Sequence, residues 1–230
     1  MANINYICKN RIVPTLEQRL SVSLGENGEA MVRADRFDPC ILMRPYGKDM
    51  APYTGQLIYV RAGVARRLAA ANRQLKPCGL TLLVNYGYRR PEIQQQYFDQ
   101  SLARVKAERP GSSESEAERL ADHYAAHPQA AGHVTGGAVD LTIARRGVPL
   151  DMGAQVDDIA AAGELIQTFS PRITPAQQKN RLLLLRVMTN AGFMPFFHEY
   201  WHFEYGDREW AFLSGRPCSL YSPVQFRSAG

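Results

Sequence analysis

The sequence predicts an α+β protein: a single domain over residues 1–230, with a mainly antiparallel central sheet and flanking helices. Three observations carry that expectation. Helical patterns cluster ahead of glycine-bounded strand patterns, and no strict β-α-β alternation runs along the chain. With 230 residues, of which 45 % are hydrophobic and 21 % charged, the chain suffices for one well-cored domain. No apolar run approaches membrane-spanning length, and no glycine loop has the spacing that cradles phosphates.

Residues 1–60 are punctuated by proline and glycine and read as loops with a few edge strands. Val64, Leu68, Ala71 and Leu75 recur at helical spacing between Ala62 and Lys76, and Pro77 and Gly79 end that helix. Leu80–Tyr86 is a buried-strand candidate. Proline is tolerated in a first turn, so Pro91 opens a helix running to about Glu108. A loop from Pro110 supplies N-caps for a further helix ending near His127, and Gly136–Ile143 reads as a glycine-entered strand. Thr174-Pro175-Ala176-Gln177 has the form of a capping box and starts a helix through Asn190, with Gly192 as its stop. Two short strands follow within residues 193–205.

The formal charge of +5 is mild, and the arginines are scattered rather than gathered in a stripe. A solvated surface is expected, with no nucleic-acid partner. No membrane association is expected either. The first ten residues lack the charged-then-apolar layout of a secretory signal, so a cytoplasmic location is the expectation, or a periplasmic or secreted one if a signal has been removed. Cys8, Cys40, Cys78 and Cys218 lie far apart without a C-x-x-C pair, which argues against thiolate zinc and for buried free thiols, or one or two disulfides after export.

His198-Glu199-Tyr200-Trp201-His202 spells H-E-x-x-H, the string that helical zinc proteases use to place two histidines one turn apart. Here, however, six of the ten residues 196–205 are aromatic, which favours strand over helix. No histidine follows His202 to complete a helical site. The expectation is therefore that one of the two histidines binds metal and that Glu199 lies near it. Of the remaining three histidines, His123 and His127 stand i, i+4 on the helix expected there and read as a solvated face. His133 lies among small residues in Gly132-His133-Val134-Thr135-Gly136-Gly137-Ala138-Val139-Asp140, either as a turn histidine with a capping Asp or as a metal ligand.

Taken together these segments resemble the VanX-type D-alanyl-D-alanine dipeptidases. That family carries H-x-x-G-x-A-x-D and E-x-W-H, which match His133 to Asp140 and Glu199-Tyr200-Trp201-His202. Its G-Y-R-P segment appears as Gly87-Tyr88-Arg89-Arg90-Pro91, one residue longer, so Arg89 is the better match and Arg90 the alternative. Further similarity lies in Tyr53-Thr54-Gly55, in Met152 to Asp157 and in Asn180-Arg181, and the likeness covers roughly residues 50–205. Two departures are Ala131, where the family usually has Ser, and His198, where the family varies.

The resemblance implies a hedgehog/D,D-peptidase-like fold and one Zn²⁺ per chain, held by His133, Asp140 and His202. It also implies Glu199 as the catalytic base, Arg89 as the active-site arginine and Asp157 as the partner of the free amine of a small dipeptide substrate. Three protein ligands leave a position for water, which is the catalytic arrangement. For Arg89 a structural salt bridge, and for Asp157 a helix N-cap, are the competing assignments. The alternative function is a D,D- or L,D-carboxypeptidase acting on peptidoglycan stems. A zinc-binding domain without activity is a third reading, against which the retained Glu199 and arginine argue. The first 50 residues and the tail after Asp207 are read only as packing.

Overall fold

The computed structural model describes residues 4–159 and 163–228. In chain order its elements are α1 (Ile4–Asn10), α2 (Leu16–Leu20), β1 (Met31–Arg33), β2 (Leu42–Met43), α3 (Ala51–Thr54), β3 (Tyr59–Arg61), α4 (Ala62–Leu75), β4 (Thr81–Tyr86), α5 (Pro91–Glu108), α6 (Glu114–Ala121), β5 (Ala138–Arg145), β6 (Val148–Pro149), α7 (Pro175–Asn190), β7 (Met194–Pro195), β8 (His202–Glu204) and α8 (Arg208–Leu213). The main sheet has the order β2-β4-β5-β8-β7, with β6 paired to β5. All its pairings are antiparallel except β2–β4. β1 and β3 form a separate antiparallel ribbon. The architecture is the α+β arrangement expected from the sequence.

Strand alternation separates core from site. Along β5, Val139, Leu141 and Ile143 enter the hydrophobic core, so Ala138, Asp140 and Thr142 point to the opposite face. On β8, Phe203 enters the core, and His202 and Glu204 share the other face. The register pairs Asp140 with His202 directly, and with Tyr86 on the other side. Helices α4 and α7 pack on one another and bury Val64, Leu68, Leu75, Leu184 and Met188 completely or nearly so. At roughly 25 cal/mol per Å² of apolar surface, each such side chain contributes on the order of 2 kcal/mol.

The start of α7 is set by its capping box: Gln177 N–H donates to Thr174 Oγ1 at 3.3 Å and Thr174 N–H to Gln177 Oε1 at 2.8 Å, with Pro175 in the first turn. Several expectations need correction. Residues 1–60 contain three short helices besides strands, and α2 has its own capping box between Thr15 and Gln18. The helix expected through His127 ends at Ala121. There the Asp122 carboxylate pairs with Arg19 and accepts the His127 N–H at 2.8 Å, which turns the chain. All four cysteines are free, and only Cys8 is half-buried; the other three are exposed. Among the described residues no helix is long and apolar enough to cross a membrane.

Candidate metal centre and active-site cavity

The small residues of the His133 segment have a mechanical purpose. His133–Thr135 form a 3₁₀ turn closed by Gly136 at φ +73°, a left-handed position that favours glycine. Thr135 Oγ1 donates to the Gly132 carbonyl and accepts from Gly137 N–H, which locks the turn against the entry to β5. A Cβ on Gly137 would meet the Tyr205 carbonyl at 2.6 Å. The turn thus delivers His133 beside Asp140, while the β5–β8 register delivers His202 to the other side of the same carboxylate.

His133, Asp140 and His202 bring their ligand atoms within 4.8 Å of one another, in a group that could hold a metal ion. His133 Nε2 lies 3.4 Å from Asp140 Oδ2, and His202 Nδ1 lies 2.8 Å from Asp140 Oδ1. The second nitrogen of each ring is tied down. His133 Nδ1 donates to the Gly87 carbonyl at 2.6 Å, which leaves Nε2 as the lone-pair nitrogen. His202 Nε2 lies 3.1 Å from Glu204 Oε1. Tyr46 donates its hydroxyl to Asp140 Oδ2 at 2.7 Å. The donor set is two nitrogens and one carboxylate oxygen, each oriented by an outer partner, and it fits a zinc ion.

Electrostatics differ sharply between the two imidazoles. Burial lowers the His133 pKa and outweighs the pull of Asp140. For His202 burial acts in the same direction, but hydrogen bonds to Asp140 and Glu204 prevail and hold it well above the ordinary histidine value. Against burial, His133 and His202 hold Asp140 well below the usual carboxylate range.

The cluster opens on a cavity of about 480 Å³ whose lining includes Arg89, Asp157, Glu199, Trp201 and Ala131. Residues 196–201 turn rather than form a helix, and His202 begins β8, so His198 and His202 are not one helical turn apart. His198 is exposed, with its ring 5.2 Å from Phe196, and is absent from the metal-ligating group. Glu199 is partly buried; desolvation pushes its carboxyl up to about 7, with His202 opposing and Asp140 adding to the shift. Arg89 lies over the rings of Tyr86 and Tyr97, with its centre 4.7 and 5.0 Å from their centroids, and donates to Gln94 Oε1 at 2.9 Å. It makes no carboxylate salt bridge among those of the described residues. Arg90 instead pairs with Glu92 on the surface and does not line the cavity. Asp157 stands at the exposed mouth with φ +70°; desolvation by the cavity wall, then Asp140, raise its carboxyl to about 6. The alternative assignment of Asp157 as a helix N-cap involves residues 160–162, which lie outside the described residues. His123 lines the cavity at its exposed edge, and His127 packs its ring 4.9 Å from Phe98.

Tyr46, Tyr86, Gln94 and Glu204 were not anticipated as site residues. Glu204 left a signal: two residues after His202 in a strand, it shares the histidine's face. Tyr46 comes from a loop and left none.

Comparison with known proteins identifies the family of the chain. Residues 45–216 match the family model described as D-Ala-D-Ala dipeptidase. A D-alanyl-D-alanine dipeptidase of Synechocystis sp. is 31 % identical over 191 residues, 73 % of this chain and 77 % of that protein. One of Escherichia coli K12 is 44 % identical over 73 residues, 31 % of this chain and 36 % of that protein. Among solved structures, a zinc complex of the vancomycin-resistance D,D-pentapeptidase VanY aligns at 20 % identity with a TM-score of 0.41, over 70 % of this chain and 82 % of that one. The LD-carboxypeptidase LdcB aligns at 20 % identity with a TM-score of 0.47, over 82 % of this chain and 76 % of that one. With residues 45–216 matched by the family model and a relative 31 % identical over 73 % of this chain, the chain belongs to the D-Ala-D-Ala dipeptidase family of metallopeptidases.

Proposed function

We propose that the protein is a zinc-dependent dipeptidase that hydrolyses D-alanyl-D-alanine or a related small dipeptide. The observation that carries this reading is the convergence of His133, Asp140 and His202 at a cavity that also holds Glu199, Arg89 and Asp157. Zinc held by the three side chains would lower the pKa of a water and polarise the scissile carbonyl. Glu199, whose carboxyl is pushed up by burial in the metal-free site, takes the proton of the attacking water and returns it to the leaving amine. Arg89, kept charged among tyrosines, stabilises the oxyanion that develops on the carbonyl. Asp157 receives the free ammonium of the substrate. An N-blocked substrate would leave that carboxylate unpaired, which disfavours it. Tyr46 holds the Asp140 carboxylate in place.

One observation favours a second reading, a carboxypeptidase for longer stem peptides. A further cavity of about 470 Å³ adjoins the first through Tyr46, Arg89 and Asp157 and is lined by Asp49, Tyr97 and Arg104. Assays of D-Ala-D-Ala, N-acetyl-D-Ala-D-Ala and L,L-dipeptides, with and without chelator, separate the two. The dipeptidase reading expects chelator-sensitive turnover of the free D,D-dipeptide alone. Faster cleavage of the acetylated peptide would establish the carboxypeptidase instead.

A further inference from the structure

We propose that Glu204 is a positioning residue of the metal centre: its carboxylate holds His202 with Nε2–H engaged and Nδ1 turned toward Asp140 as the metal-binding nitrogen. This inference rests on His133, Asp140 and His202 being the zinc ligands. Alternation along β8 places Glu204 on the face of His202, and Glu204 Oε1 lies 3.1 Å from Nε2. Glu204 is only 6 % exposed, and its second oxygen, Oε2, is buried without a hydrogen-bond partner. A carboxylate kept in that condition is costly to bury, and the bond to His202 is the contact that accounts for it.

Behind it stand two more buried carboxyl groups on the last helix, Asp207 at the N-cap of α8 and Glu209 in its first turn. The facing cation is Arg19 of α2, 3.9 Å from Glu209 and paired with Asp122. The N-terminal segment, outside the stretch matched by the family model, thereby supplies the positive charge beside this acidic group. Space is made for it by Gly132, next to ligand His133. A Cβ there would come within 2.9 Å of Glu204 Oε1 and 2.6 Å of Asp207 Oδ2, although the Gly132 backbone is ordinary for any residue at φ −69°.

Zinc affinity, measured by chelator competition on the full chain, tests the proposal without substrate. Outer-shell partners of metal-bound histidines typically change affinity by roughly 10–100-fold. Glu204→Leu should weaken zinc binding by about that factor, and Glu204→Gln, which keeps an acceptor at Oε1, should recover most of the loss. The visible spectrum of the cobalt(II)-substituted protein should change in the Leu variant and return toward wild type in the Gln variant. Should Glu204→Leu fail to fold, Gly132→Ala, whose Cβ would crowd Glu204 Oε1 together with Asp207 Oδ2 and the Ala138 Cβ, should weaken zinc binding likewise. Wild-type zinc affinity in folded Glu204→Leu, or in Gly132→Ala when the Leu variant does not fold, overturns the proposal. Wild-type protein that takes up no zinc would sink the ligand assignment as well, so the two failures are distinguishable.

Discussion

Two imidazoles flank one carboxylate in this cavity, and the balance of burial against the carboxylates each ring touches sets their opposite charge preferences. His133 meets a carbonyl and is pushed down by burial, whereas His202 meets two carboxylates and is pushed up. A His133→Ala variant should lose its zinc, with metal content after dialysis well below one per chain; full occupancy would remove His133 from the site. The proposed base carries a pH signature. Burial raises the Glu199 carboxyl from 4.5 to about 7. A carboxyl raised by folding contributes stability below its unfolded value and loses that contribution as pH rises through about 7. In metal-free protein, Glu199→Gln should therefore raise Tm by several degrees at pH 8 and scarcely change it at pH 4, as thermal melts at the two pH values can check. The same substitution should cut turnover by about 10²–10⁴-fold while zinc stays bound. In the zinc-loaded wild type, kcat/KM should fall at acid pH, where Glu199 is protonated, because the base must be ionised.

At the scale of elements, α7 does two jobs. Its start is legible from Thr174 and Gln177 alone, and Thr174→Ala should cost about 1 kcal/mol, lowering Tm by roughly 2–4 °C with activity intact. Its middle carries Arg181, which is 1 % exposed and donates to the carbonyls of Met152, Leu165 and Gln167 while its centre lies 4.4 Å from the Tyr200 ring centroid. Asn180 adds a bond to the Asp151 carbonyl at 2.9 Å. These bonds pin the segment that bears Asp157 and touch the neighbour of Glu199. Arg181→Met would orphan the buried Met152 carbonyl and remove the donor of the part-buried Leu165 and Gln167 carbonyls, so it should destabilise by on the order of 3 kcal/mol and raise KM through the loosened Asp157. Unchanged KM in a folded variant would detach that segment from substrate binding. Helices α4, α5 and α7 were readable to within about a residue because caps, prolines and apolar spacing are local signals. The end of α6 was not, since Asp122 is drawn aside by Arg19, which lies 103 residues earlier.

For the molecule as a whole, the sheet is the frame that makes the centre. β5 contributes Asp140, β8 contributes His202, and the turn before β5 contributes His133, so candidate ligands 62 residues apart meet by register. Zinc bound across two strands and a turn should stabilise the folded state, so chelation should lower Tm and abolish hydrolysis together, both restored by added zinc. Residue identities and short spacings along the chain determined the donor types, the small residues that let His133 and Asp140 come together, and the rejection of a helical H-E-x-x-H among aromatics. Backbone preferences and i-to-i+7 geometry act within a few residues, so they are written locally. Tertiary structure decided which arginine lines the cavity, that Tyr46 holds Asp140, that Asp157 stands at its mouth, and that Glu204 backs His202. Those choices depend on strand pairing and on which buried groups find partners across the fold, which no local spacing encodes.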